Sequence, residues 1–134
     1  MMLRVLLTIG LLVSPMGAPL AARSPGDVAE VRNGLLAVAV GNLIQENCDA
    51  ITPRLIRVFS LRNALLAAAR SAGFSEAEID AYVDDDVAKA ALEAEAALYL
   101  AQNGATPDDA AAYCTAGLRE IADGSAVGRL LRER

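Results

Sequence analysis

Histidine is absent from the 134 residues, and so is tryptophan. Without histidine no Ser-His or Cys-His nucleophile can be assembled, and no imidazole can hold haem or zinc. The usual proton switch near neutrality is missing too. Basic charge is in deficit, with 12 Lys and Arg against 17 Asp and Glu, a net of -5. That balance suits neither nucleic acid nor an anionic lipid surface, where affinity comes mainly from neutralising phosphates. There is no Cys-x-x-Cys for redox exchange, no Cys-x-x-Cys-His for covalent haem, and no glycine loop to cradle phosphate. No stretch alternates with the period of a half-buried strand. These absences leave little chemistry, and no catalytic, cofactor-binding or metal residue is expected.

What is present begins with the first 22 residues. One basic residue, Arg4, precedes an apolar run from Val5 to Val13, and Pro15, Gly17 and Pro19 then break any helix before Leu20-Ala21-Ala22. That order is the pattern of a secretory signal peptide, cleaved near Ala22, and it predicts export to the periplasm. The run is too short and too broken to span a bilayer comfortably, and an uncleaved N-terminal anchor is the rival reading. No cysteine stands at the cleavage point, so a lipid anchor is not supported. The remaining residues, 23–134, are enough for one small domain with no membrane span, and their net charge is -6 because Arg4 is lost. Cys48 and Cys114, 66 residues apart, are an isolated pair that most often forms one bridge in an oxidising compartment. Two buried thiols or an intermolecular bridge are the alternatives.

The rest reads as five to six short helices in a compact all-α bundle. Ser24-Pro25-Gly26-Asp27 offers an N-cap, a proline and an acid, and the apolar stripe that follows runs to about Asn47. This first helix is apolar nearly all round, so it should be central. Thr52-Pro53 predicts a second helix start, and Gly73 a left-handed stop. Ser75 and Glu78 make a capping box, stapled by Phe74 and Ile79, for a short third helix ending near Val83. Asp84–Asp86 opens a fourth helix that Asn103-Gly104 ends. Thr106-Pro107-Asp108-Asp109 opens a fifth that Gly124-Ser125 ends, before a last short helix from Ala126 to about Arg132.

Charge is segregated. Arg54, Arg57, Arg62 and Arg70 mark the second helix, which has no acid, whereas Glu76 to Glu95 holds eight acids against Lys89. Either the two segments pair side by side, each pair contributing little, or Asp84, Asp85, Asp86 and Glu93 form an acidic surface for a basic partner protein. The Asp84–Asp86 run lacks the alternating ligands and the sixth-position glycine of a calcium loop. Arg32 and Arg62 fall inside apolar stripes and are read as buried ion-pair candidates. Glu46 and Asp49 are a carboxylate pair that nothing places across a cleft.

Glu46-Asn47-Cys48-Asp49, the run from Gly73 to Ile79 with Ala81-Tyr82-Val83, Tyr99-Leu100 with Asn103-Gly104, and Cys114 with Gly128-Arg129-Leu130-Leu131 resemble a family of small exported alphaproteobacterial proteins. That family is known only as a domain of unknown function. The resemblance carries over no catalytic residue. It implies a link to respiratory Complex I, whose genes such genes can accompany, and so a partner that is basic or membrane-associated. The expected function is a non-enzymatic binding or accessory role. A periplasmic acid-stress chaperone is the alternative, losing native stability as carboxylates paired with Arg54, Arg57, Arg62 or Arg70 take up protons. An enzyme comes third.

Overall fold

A computed structural model describes residues 24–134. The signal-peptide expectation for residues 1–22 lies outside the described residues. Among the described residues the chain forms five α-helices and one small two-stranded ribbon: α1 (Ala29–Asn47), β1 (Ile51–Pro53), α2 (Leu55–Ser71), α3 (Glu76–Val83), α4 (Asp86–Gln102), α5 (Ala110–Asp123) and β2 (Leu131–Glu133). Single 3-10 turns lie before α1 (Pro25–Asp27) and before β2 (Gly128–Leu130). The all-α expectation holds, with the ribbon as an addition.

The central position expected of the first helix is also found. α1 packs against α2, α4 and α5 and touches β1 and the 3-10 turn before β2. Its Val40 and Ile44 are sealed from solvent together with Ile51, Leu100 and Tyr113. Alanines at 37, 39, 96 and 116 let the helices approach closely around them. A second, smaller core of Val31, Ala69 and Ile79, with Phe74 and Leu66 against it, joins α1, α2 and α3.

α3, α4 and α5 start at side-chain caps, whereas α1 and α2, entered from Val28 and Arg54, do not. Ser75 accepts from the Glu78 amide at 3.2 Å while its own amide donates to the Glu78 carboxylate at 2.7 Å, so the predicted capping box is complete. Asp85 accepts from the Val87 and Ala88 amides at the head of α4. Asp109, not Thr106, caps α5 through the Ala112 amide at 3.1 Å. The fifth helix therefore begins at Ala110, past the proline expected to open it. Gly124 ends α5 at φ 59°, in the left-handed region as expected.

One expected helix start is a strand instead, and one expected helix is reduced to a turn, the 3-10 segment Gly128–Leu130 and the start of β2. Thr52-Pro53 does not open α2; Ile51–Pro53 pairs antiparallel with Leu131–Glu133, Thr52 opposite Arg132. The Arg54 amide donates to Leu130 and the Arg134 amide to Ala50, extending the ladder at both ends. Pro53 is tolerated because the ribbon has only two strands and every strand is an edge. Pairing across some eighty residues thus overrides the local cap-and-proline pattern, and it takes the last two residues, Leu131 and Arg132, of the helix expected from Ala126 to Arg132, of which only the 3-10 turn Gly128–Leu130 is helical. Cys48, at the end of α1, is joined to Cys114 on α5, with Cα atoms 5.2 Å apart. That is the intramolecular pairing expected, and among the described residues no free cysteine remains.

Candidate functional site

α2 and α4 flank α1 but pack on it rather than on each other, so one strip of α1 lies at the floor of a valley. Three depressions meet there at Val38. One, of about 150 Å³, has Leu55 and Val58 of α2 on its wall together with Leu130 and Leu131. A second, of about 320 Å³, opens between α1, α2 and α3, with Leu35, Leu65 and Ile79 inside and Arg62 and Asp80 at its edges. The third, of about 310 Å³, lies toward α4, lined by Leu43, Leu92, Lys89, Glu46 and Glu93. Leu35, Val38 and Leu43 are half-buried as a result. The floor's amides are occupied with each other, the Gln45 side chain donating to Asn42 Oδ1 at 3.2 Å. Apart from Glu46, what remains of the floor is apolar.

Two charged surfaces border this valley. At the start of α2, Arg54 and Arg57 share a shallow depression with Arg132 of β2, beside Leu55 and Ile56. Ile56 is 83% exposed and Phe59, on the next turn, 63%. Among the described residues none of those three arginines makes an ion pair. The acidic surface lies at the α3–α4 turn. Asp84, Asp85 and Asp86 are all exposed, with Val83 and Val87 also exposed on either side. Asp85 is occupied in capping α4, and Asp86 lies 3.6 Å from Lys89. Glu93 is apart from them, on the α4 wall of the valley.

The expected charge pairing is mostly absent. Of the four arginines around α2 only Arg70 holds a carboxylate, Glu76 across the turn into α3, at 2.5 Å. That hydrogen bond raises the Arg70 pKa and lowers that of Glu76. Arg32 and Arg62 are both exposed, which corrects their reading as buried. Arg32 reaches across to Glu95 on α4 at 2.6 Å, its side chain still 56% exposed. Arg62 makes no ion pair and stands at the rim of the α1–α2–α3 depression. A long side chain inside an apolar stripe needs no buried partner when the neighbouring helix is far enough away to leave a rim. Glu46 lines the valley and Asp49 lies in the turn after α1.

One polar group escaped the sequence reading. Glu120 on α5 is the buried charged residue of the core, 9% exposed. The Tyr99 hydroxyl donates to it at 2.5 Å, and the Ser125 hydroxyl donates to it from the far side. Ser125 in turn accepts from the Gly128 amide at 2.9 Å. The Tyr99 pKa is pushed up to about 12, first by the hydrogen bond to Glu120 and then by burial. Gly128 is required here, since a methyl group on it would run into the Glu120 carbonyl. The network ties α4 and α5 to the C-terminal segment and lines none of the depressions described above. A signal for it did exist: Glu120 falls at helical spacing on the stripe of Tyr113, Ala116 and Gly117, where an acid needs partners.

Among the described residues no group of three or more acids and cysteines is placed to hold a metal ion, and no helix is long and apolar enough to cross a membrane. No curated protein matches the chain, and neither does any solved structure. A family model does match, over residues 24–132, which takes in all five helices, the disulfide and most of the ribbon. The chain belongs to that family, a family of unknown function (DUF5333).

Proposed function

We propose that the protein is an exported, periplasmic, non-enzymatic binding or accessory protein whose partner lays an apolar helix in the valley over α1. The observation that carries this reading is the uncovered floor: Leu35, Val38 and Leu43 sit on the most buried helix of the fold, yet two flanking helices leave them open. Amphipathic helices bind grooves of this kind by burying residues spaced three and four apart. Glu46 and Glu93 against Lys89 on one side, and Asp80 against Arg62 at the α3 end, leave the margin acidic by one charge, which favours a partner with basic residues beside its apolar stripe. Such a partner is a basic or membrane-associated protein. The Cys48–Cys114 bridge supports the compartment, because disulfides persist where the environment oxidises thiols.

The test is a photo-crosslinking residue placed at Val38 in living cells, with the same residue at Leu118, exposed on α5, as the control. Val38 should yield one discrete adduct, mapping to a helical segment of a single protein, and Leu118 none. Equal patterns from both positions, or no adduct from Val38, would sink the reading. Export is tested separately by the intact mass of the native protein, which should begin at Arg23 and lack two hydrogens.

The acid-chaperone reading has less support. It relies on carboxylates holding Arg54, Arg57, Arg62 and Arg70, and only Arg70 is held. Retained helix without protection of an aggregating client at about pH 3 would remove it.

A further inference from the structure

The two charged surfaces are built alike with opposite sign. Among the described residues seven large apolar side chains are exposed, and five of them belong to these two places: Leu55, Ile56 and Phe59 beside the arginines, Val83 and Val87 beside the aspartates. Singly exposed apolar residues are ordinary, but apolar groups collected within a charged rim mark contact surfaces. Within one chain the two surfaces are not joined, since no ion pair links Arg54, Arg57 or Arg132 to Asp84, Asp85 or Asp86. Each therefore presents the complement of the other to solvent.

We infer that the Arg54–Phe59 face of α2, with Arg132, docks the Val83–Val87 turn of a second copy of this chain. The arginine side offers planar donors to carboxylates, and Ile56 and Phe59 offer apolar area to the two valines. Like faces repel, so the face of α2 cannot pair with itself. The contact joins unlike surfaces and either closes as a two-fold pair, each chain contributing both, or continues from chain to chain. An anionic lipid surface would satisfy the arginines as well, but it leaves the acidic turn and its exposed valines unexplained, and that turn would be repelled by it. This inference goes beyond the proposed function and does not require the valley to be filled.

Sedimentation of the disulfide-bonded protein tests it. A contact this small belongs to the weak class, so the weight-average mass should rise between roughly 10 µM and 1 mM. Raising the salt toward 1 M, where the screening length falls to about 3 Å, should lower it. Arg54→Glu with Arg57→Glu should leave a monomer, and so should Asp84→Lys with Asp86→Lys. Mixed one to one, the two variants should associate again, because each then meets its opposite charge. That recovery also shows both variants are folded. A wild-type mass that stays monomeric at about 1 mM would overturn the inference. So would association indifferent to the substitutions, a mixture of helical variants that remains monomeric, or Arg54- and Arg57-dependent binding to anionic vesicles by a protein that does not self-associate.

Discussion

The two ends of this molecule are held by different means. At one end the tail of the chain is fixed three times over: by the Cys48–Cys114 bridge, by pairing of Leu131–Glu133 with Ile51–Pro53, and by the Glu120 network. At the other, α2 and α3 rest on the smaller core of Val31, Ala69 and Ile79, and their ends and the start of α4 are set by neighbours in sequence. These are the Ser75–Glu78 box, the Asp85 cap and the Arg70–Glu76 pair across a six-residue gap. Long-range constraints seal the first end, and its residues are the most deeply buried. Local ones leave the second end's helices well formed but open to solvent, and the acidic turn with Val83 and Val87 lies there, whereas the arginine face spans the junction, Arg132 belonging to the ribbon and the Arg54 amide donating to Leu130.

The comparison predicts that the sealed end dominates stability. Replacing Cys48 and Cys114 by serine should lower the free energy of unfolding by about 4 kcal/mol, the loop-closure value for 66 residues. Against a total of roughly 5–15 kcal/mol for a domain this size, the denaturant midpoint would fall steeply. A midpoint that hardly moves would show that the ribbon and the core close the loop without the bridge.

Glu120→Ala should come next, at about 2 kcal/mol, because it strands the Tyr99 and Ser125 hydroxyls that now donate to one carboxylate. The same network has a signature at high pH. Tyr99 keeps its proton in the folded state up to about 12, above the ordinary tyrosine value of 10.0. Between those values the native protein binds more protons than the unfolded one, so stability falls as pH rises through that window and is fully present below it. Tyr99→Phe should flatten that fall. An unchanged alkaline limb would mean that the hydroxyl does not donate to Glu120 in solution.

Ser75→Ala probes the open end and should cost about 1 kcal/mol, the usual worth of an N-cap side chain. Hydrogen exchange should show the loss confined to α3 and its neighbours, leaving the amides of α5 protected. A loss spread evenly over both ends would dissolve the distinction between them.

That distinction is also the boundary of what the sequence could say. The capping box, the Gly124 stop, the central first helix and the cysteine pair are legible because each is a local pattern or the single available pairing. Ile51–Pro53 was misread since its partner lies at Leu131–Glu133, and nothing near Thr52 records that. At Thr106-Pro107 the expected cap is passed over, and Asp109, whose carboxylate meets the Ala112 amide, takes the role. The valley is the least legible feature. Periodicity says that α1 is apolar nearly all round, but which strip stays uncovered depends on how far apart α2 and α4 lie. Arg62 reads as interior for the same reason, its stripe being real and the rim beside it open, and Arg32 because the stripe does not show that its guanidinium reaches outward to Glu95 on α4.

The smallest expected effect belongs to Arg70 and Glu76, both exposed, 2.5 Å apart between α2 and α3. The hydrogen bond from Arg70 holds the Glu76 carboxyl below its ordinary range, a little opposed by burial. A carboxyl depressed in the folded state contributes stability above its unfolded pKa and loses it as pH falls through the folded one. Glu76→Gln should therefore make the acid limb of the stability curve slightly shallower and leave the neutral plateau almost unmoved, since exposed pairs contribute little. Added salt should shrink even that difference. If Glu76→Gln instead lowers stability at neutral pH as much as Ser75→Ala, then the α2–α3 turn depends on this pair. The open end would then be fastened by charge as well as by caps, and its repertoire of local constraints would be larger than hydrogen bonding alone provides.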